Sequence, residues 1–228
     1  MAQKLTPWFY SPASAALRAG GGAPDGWLNF DASPRLQVER IPGLRFVLRR
    51  TVGLLFPANA RPGDIVAGLP VADRTARGVY CSHVLEHLPR DDLPVALGNT
   101  HRMLAPGGLF RLVVPDLQWR AVRYSQAAER QDPAAADALL AACALGTHSK
   151  KRTIISVLRA GLGRSEHLWM YDFAALRSLL EQAGFCRIRR CAFGDCGDPM
   201  FALVEDCDRF FESGERELAI EAARPDGR

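Results

Sequence analysis

The first chemistry legible in this chain lies in a run of glycines and two acidic residues downstream of it. Residues 18–31 read Arg-Ala-Gly-Gly-Gly-Ala-Pro-Asp-Gly-Trp-Leu-Asn-Phe-Asp. Gly20, Gly21 and Gly22 carry no Cβ, so their backbone can approach a ligand closely after a first strand. Asp31, at the end of a second strand, can accept hydrogen bonds from the two ribose hydroxyls of a nucleoside. The stretch from Gly22 to Asp31 is far shorter than the ~20-residue gap of the usual dinucleotide fingerprint, which argues against NAD. Taken alone, three glycines also make an ordinary flexible turn. Asp64 could accept a hydrogen bond from an adenine amino group, or it could cap a turn.

A second constellation is Tyr80-Cys81-Ser82-His83-Val84-Leu85-Glu86-His87-Leu88. It contains His-x-x-Glu-His, a spacing used by one class of zinc hydrolases. On a helix, positions i and i+4 share a face, so His83 and His87 could both reach a metal. A third ligand would still be needed. Glu129, Glu181 and Glu205 have no context that recommends them. The expectation is therefore no metal, with Glu86 and His87 in a local hydrogen-bond network.

These residues need a scaffold that brings them to one edge. Short apolar runs alternate with helical patterns, as expected of βα units and a mainly parallel sheet. The strands expected are 17–20, 27–31, 64–67, 78–82, 109–114, 187–193 and 218–222. One helix is expected from Asp91 or Asp92 to the Pro106-Gly107-Gly108 stop, and another from Asp172 to Gly184. The first 13 residues read as an arm. Residues 42–62 (apolar and basic) and 133–163 (helical) read as helical additions over the active site. The expected whole is an α/β, Rossmann-like three-layer sandwich. Its seven-stranded sheet is mostly parallel, with an antiparallel last strand, in a single domain over residues 1–228.

Composition narrows the function classes. A chain of 228 residues, 48% hydrophobic, can bury a core without staples. The formal charge of +4 is no nucleic-acid footprint unless concentrated on one face. Six cysteines are scattered without a Cys-x-x-Cys pair, which favours reduced thiols in the cytoplasm. Neither a signal peptide nor an apolar run of membrane-spanning length is visible. Arg45, Arg49 and Arg50 beside Phe46 and Leu48 leave two readings open: contact with an anionic membrane surface, or a surface helix packed on the sheet.

Residues 80–88, together with Asn99-Thr100-His101-Arg102-Met103-Leu104-Ala105-Pro106-Gly107-Gly108-Leu109-Phe110-Arg111-Leu112-Val113-Val114-Pro115-Asp116-Leu117, closely resemble the class I S-adenosylmethionine (SAM)-dependent methyltransferases. The resemblance is to their bacterial type 11-like branch. Residues 166–172, Ala183-Gly184-Phe185 and residues 221–225 extend it over nearly the whole chain. It implies SAM as cofactor, with Gly20, Gly21 and Gly22 beneath its methionine part and Asp31 on its ribose. It also implies Asp64 and Ile65 near adenine, and Cys81, Ser82 and His83 flanking the sulfonium and the acceptor. The family's usual Gly-x-Gly-x-Gly loop and regular first strand are replaced here by Ala16-Leu17-Arg18-Ala19 and three glycines. This departure keeps a non-catalytic binding protein as an alternative beside the zinc hydrolase.

The sulfonium is already a good leaving group, so placing the acceptor in line with the methyl carbon is the protein's main task. An oxygen acceptor also needs a base, for which His83 and then His167 are the candidates. His87, Trp169 and Tyr171 are assigned to the acceptor side. By family analogy the acceptor is a small molecule or a glycan. No nucleic-acid partner is expected, and oligomeric state is left open.

Overall fold

The computed structural model describes residues 24–33, 36–37, 40–41, 56–57, 59–145, 167–211 and 214–227, and the backbone of 8–12. Among the described residues seven strands form one sheet: β1 Trp8–Pro12, β2 Trp27–Asp31, β3 Ala60–Pro62, β4 Ala76–Ser82, β5 Leu104–Pro115, β6 Cys186–Cys191 and β7 Glu217–Ala223. Their order is β3-β2-β1-β4-β5-β7-β6. β1 pairs parallel with β2 and β4, β2 with β3, and β4 with β5. β7 runs antiparallel to both of its neighbours, β5 and β6. Among the described residues the α-helices are α1 Leu93–Met103, α2 Leu117–Glu129, α3 Ala135–Ala142 and α4 Phe173–Gln182.

Alternation along the strands divides the sheet into two faces. Phe110, Leu112 and Val114 of β5 and Leu218, Ile220 and Ala222 of β7 face one core. Leu93, Leu97 and Met103 of α1 and Leu176, Leu179 and Leu180 of α4 cover it. Tyr80 and Val113 face the other core, closed by Phe201, Val204 and Phe210 from two short 3-10 turns. That second face also carries charge, with Arg111 and Glu221 buried side by side.

Local chemistry explains the helix ends. Asp172 Oδ1 accepts the Ala175 N–H at 2.8 Å and starts α4, and Gly184 (φ +93°) ends it. Asp92 precedes α1 without a side-chain capping bond, and Pro94 sits where no helical N–H is lost.

Several expectations are corrected. Residues 8–12, read as part of an arm, form β1 in the middle of the sheet; the expected strand at 17–20 lies outside the described residues. Aromatic Trp8, Phe9 and Tyr10 suit a pleated surface, which explains the shift. Residues 64–67 form a turn, and the edge strand is β3, inside the stretch read as a helical addition. Residues 42–55 and 146–163 lie outside the described residues. Pro106, Gly107 and Gly108 lie within β5, since α1 already ends at Met103. A Cβ on Gly108 would stand 2.9 Å from the Ala105 carbonyl and 3.0 Å from that of Ala76, so this crossing with β4 requires glycine.

Candidate functional site

In an open α/β sheet, ligands bind at the carboxyl ends of the strands where strand order reverses. Here that point lies between β1 and β4. β2 delivers Asp31 to this edge. Its carboxylate is buried, 6% exposed, and accepts the Ser33 N–H at 2.7 Å. Burial pushes its pKa up to about 6, with the Ser33 hydrogen bond opposing the shift. The Asp31 carbonyl accepts the Gly63 N–H at 3.1 Å. A Cβ on Gly63 would lie 2.7 Å from Phe30 and 2.8 Å from Leu69, so the chain can turn here only without one.

The turn that follows presents Asp64 and Ile65. Asp64 is exposed, and its Oδ1 accepts the Val66 N–H at 2.8 Å, so its carboxylate shapes the turn. Asn99 of α1 donates both amide hydrogens, to the carbonyls of Ile65 and Val66, at 2.9 Å each. The sequence reading missed Asn99, since an asparagine on the half-buried face of a helix carries no local signature. Gly20, Gly21 and Gly22 lie outside the described residues.

β4 delivers Cys81, Ser82 and His83. Burial, with the charge of Glu86 beside it, holds the Cys81 thiol well above its ordinary pKa, so it is no nucleophile. Ser82 is buried, and its Oγ finds no hydrogen-bond partner among the described residues. His83 adopts φ +54°, a left-handed conformation uncommon outside glycine, and its N–H donates to the Val113 carbonyl at 2.9 Å. Its Nε2 meets the Arg209 carbonyl at 3.0 Å, and its Nδ1 lies 3.2 Å from Glu86 Oε1. A carbonyl only accepts, so Nε2 carries a hydrogen.

Residues 85–87 form a 3-10 turn, so His83 and His87 do not share a face of an α-helix as the sequence reading allowed. The carboxylates considered as a third metal ligand are elsewhere: Glu205 pairs with Arg111, Glu181 with Arg177, and Glu129 is exposed. The residue that does arrive is His167. The Glu86 carbonyl accepts the N–H groups of Leu168 (2.8 Å) and Trp169 (3.1 Å), which docks this segment on the turn. The His87 and His167 rings are 5.1 Å apart, and one ligand-capable atom each of Glu86, His87 and His167 lies within 4.8 Å of the others. Burial holds the His167 pKa below its ordinary value, against the charge of Glu86, so its ring is neutral near pH 7. Tyr171 is buried, and its hydroxyl has no partner among the described residues. Trp169 is exposed. The carboxyl edge thus assembles a group at Asp31 and the 63–66 turn, and a second at Ser82, His83, Glu86, His87 and His167.

The first group fits an adenosyl ligand on its own terms. Asp31 is a buried carboxylate holding a single donor among the described residues, with capacity left for the two hydroxyls of a ribose. The unpartnered Ser82 hydroxyl supplies a further polar contact.

A family model described as a methyltransferase domain matches residues 21–188. No curated protein matches the sequence. Among solved structures, the chain is similar to a putative methyltransferase in complex with the Haloferax volcanii Trm112 methyltransferase activator. Identity there is 14% and the TM-score 0.49, over 98% of this chain and 84% of that one. It is also similar to 1,6-didemethyltoxoflavin-N1-methyltransferase of Burkholderia thailandensis, at 15% identity and TM-score 0.44, over 96% of this chain and 72% of that one. A SAM-dependent methyltransferase from Archaeoglobus fulgidus is similar at 15% identity and TM-score 0.41, over 80% and 81%. Against a Bordetella parapertussis protein the chain spans 53% of the partner's length. No helix among the described residues is long and apolar enough to cross a membrane. With the family model covering well over half of its length, the chain belongs to the methyltransferase-domain family and is a SAM-dependent methyltransferase.

Proposed function

We propose that this methyltransferase moves the methyl group of SAM to a small-molecule or glycan acceptor by in-line displacement, acting as a single domain in the cytoplasm. When bound, SAM supplies a methyl group already activated by its sulfonium. Asp31 holds the ribose hydroxyls, the turn at Asp64 and Ile65 lies along the adenine, and Gly20, Gly21 and Gly22 pass beneath the methionine part. Cys81, Ser82 and His83 flank the reacting centre. His87, Trp169 and Tyr171 form the acceptor side.

Of the two histidines considered as base, His167 is the better suited. Its ring is neutral and only half-buried, whereas both nitrogens of His83 already face other groups. His83 serves as a positioning residue behind Glu86.

The observation that carries this reading is Asp31: a buried carboxylate at the strand-order reversal, with one donor and room for two more. A thermal-unfolding screen with S-adenosylhomocysteine (SAH) and NAD tests it. SAH at a hundredfold over its Kd stabilises by ~2.7 kcal/mol. For a chain of this size that is a rise of roughly 5–10 °C in Tm, with none from NAD. No shift with SAH at millimolar concentration ends the reading.

A further inference from the structure

Methyl transfer from a sulfonium asks for orientation and no Lewis acid, yet the acceptor side holds a donor set that orientation alone does not explain. Glu86 is fully enclosed, and neither of its carboxylate oxygens has a hydrogen-bond partner among the described residues. His83 Nδ1 lies 3.2 Å from Glu86 Oε1 and is not aligned as a hydrogen bond. An enclosed carboxylate without donors is unfavourable unless a cation completes it.

Two imidazoles converge on the same point. His87 Nε2 stands 3.9 Å from Glu86 Oε1. His167 presents Nδ1 to the Cys143 carbonyl at 3.0 Å. That carbonyl only accepts, so Nδ1 carries the hydrogen and Nε2 keeps a free lone pair. A histidine whose far nitrogen is fixed by a backbone carbonyl is the usual outer arrangement at metal centres. The His167 segment is itself hydrogen-bonded to the Glu86 backbone, which ties two of the donors together.

We propose that Glu86, His87 and His167 bind a divalent transition-metal ion of the zinc class, leaving a coordination position open to an oxygen of the methyl acceptor. Two imidazoles and a carboxylate suit zinc or cobalt, whereas magnesium and calcium favour oxygen-only sets. Bonds of ~2.0–2.2 Å in tetrahedral geometry place ligand atoms roughly 3.4 Å apart. Binding therefore draws in a set whose atoms now lie within 4.8 Å of one another. His83 backs the carboxylate, its far nitrogen anchored on the Arg209 carbonyl. The acceptor class that follows is an oxygen nucleophile, a hydroxyl or a carboxylate; with the ion bound, His167 Nε2 is a ligand, and coordination to the ion replaces it in easing loss of the acceptor's proton. That part rests on the methyltransferase reading, and the metal site does not.

The test uses the full chain, freed of metal by a chelator and titrated with zinc by calorimetry without SAM or acceptor. One zinc per chain is expected, with affinity at least a hundredfold weaker in His87→Gln and Glu86→Gln and unchanged in Cys207→Ser. Far-UV dichroism and Tm confirm that each variant is folded. The cobalt form is then titrated with acetohydroxamate, an oxygen ligand, and its visible absorption is expected to shift. Absence of stoichiometric zinc, or equal affinity in His87→Gln and wild type, overturns the metal site. A cobalt spectrum that ignores acetohydroxamate overturns the open position. SAH binding is measured in parallel: its loss in wild type would sink the methyltransferase reading and leave the metal result standing.

Discussion

Two buried carboxylates, Glu217 and Glu86, show how differently one protein treats the same group. Glu217 of β7 accepts two hydrogen bonds from Arg120, at 2.9 and 3.0 Å, and a third from the Asp116 N–H at 3.3 Å. Its neighbour Glu221 is met by Arg189, by Arg111 and by the Gly197 N–H. Arg111, fully buried, also donates to the carbonyls of Ala192 and Asp195, pairs with Glu205, and lies over the Phe210 ring. This ionic layer is saturated. Glu86, in the turn after β4, is enclosed just as fully and has nothing comparable among the described residues. A saturated charge specifies packing, and an unsaturated one marks a place where something else is to bind. Asp31, with its one donor, stands between them.

The largest effect is expected from breaking the saturated layer. Arg111→Met leaves Glu205 and Glu221 buried without their shared cation and costs about 3–5 kcal/mol, read by urea unfolding. A loss below about 1 kcal/mol would show that the layer is not what holds this face together. A sharper contrast comes from one amide substitution made in both places. Glu217→Gln loses charged hydrogen bonds and costs about 1.5–3 kcal/mol. Glu86→Gln removes an uncompensated charge and leaves stability unchanged or higher. Equal losses in the two variants would make Glu86 structural.

Asp31→Asn tests the intermediate case. It weakens SAH binding by about 1.5–3 kcal/mol, measured by calorimetry, with no loss of fold. The pH dependence has a definite sign. With its folded pKa raised from 3.8 to about 6, Asp31 binds more protons folded than unfolded in that window. Its contribution to ligand-free stability therefore falls as pH rises from about 4 to 6, and is flat above. Asp31→Asn is consequently more stable than wild type well above pH 6, and the gain vanishes below about pH 4. SAH affinity of the wild type rises through the same window, because the ribose hydroxyls need an ionised acceptor. The smallest effect is expected from Asn99→Ala. It frees the 63–66 turn and weakens SAH several-fold, at about 0.5–1.5 kcal/mol per lost bond.

Most of the frame was legible because its signals are local. β2 and β5 are apolar runs bounded by glycine or proline, and α1 and α4 carry leucines at helical spacing between capping and stopping residues. The glycine triplet drew the first strand towards 17–20, whereas the strand beside β2 is an aromatic run that carries no period-two alternation. Residues 64–67 are apolar enough to suggest a strand, but the Asp64 side chain closes on the Val66 N–H and the sheet pairs through Ala60, Arg61 and Pro62 instead. The site was half legible. Asp31, Ser82, His83 and His87 stand out by residue type and position. That His167 meets Glu86 and His87 depends on backbone hydrogen bonds between distant segments, which no spacing encodes.

The placement of β7 has a consequence for how the chain comes to be. Of the described strands it is made last, yet it lies between β5 and β6, and β6 has no other described strand beside it. Until residues 217–223 have left the ribosome, β5 presents an open edge over Leu109, Phe110, Leu112, Val113 and Val114, a sticky template for other nascent chains. A message cut short before Glu217 would therefore yield a product prone to clump rather than a smaller working protein, and synthesis must hold that edge apart until β7 slots in.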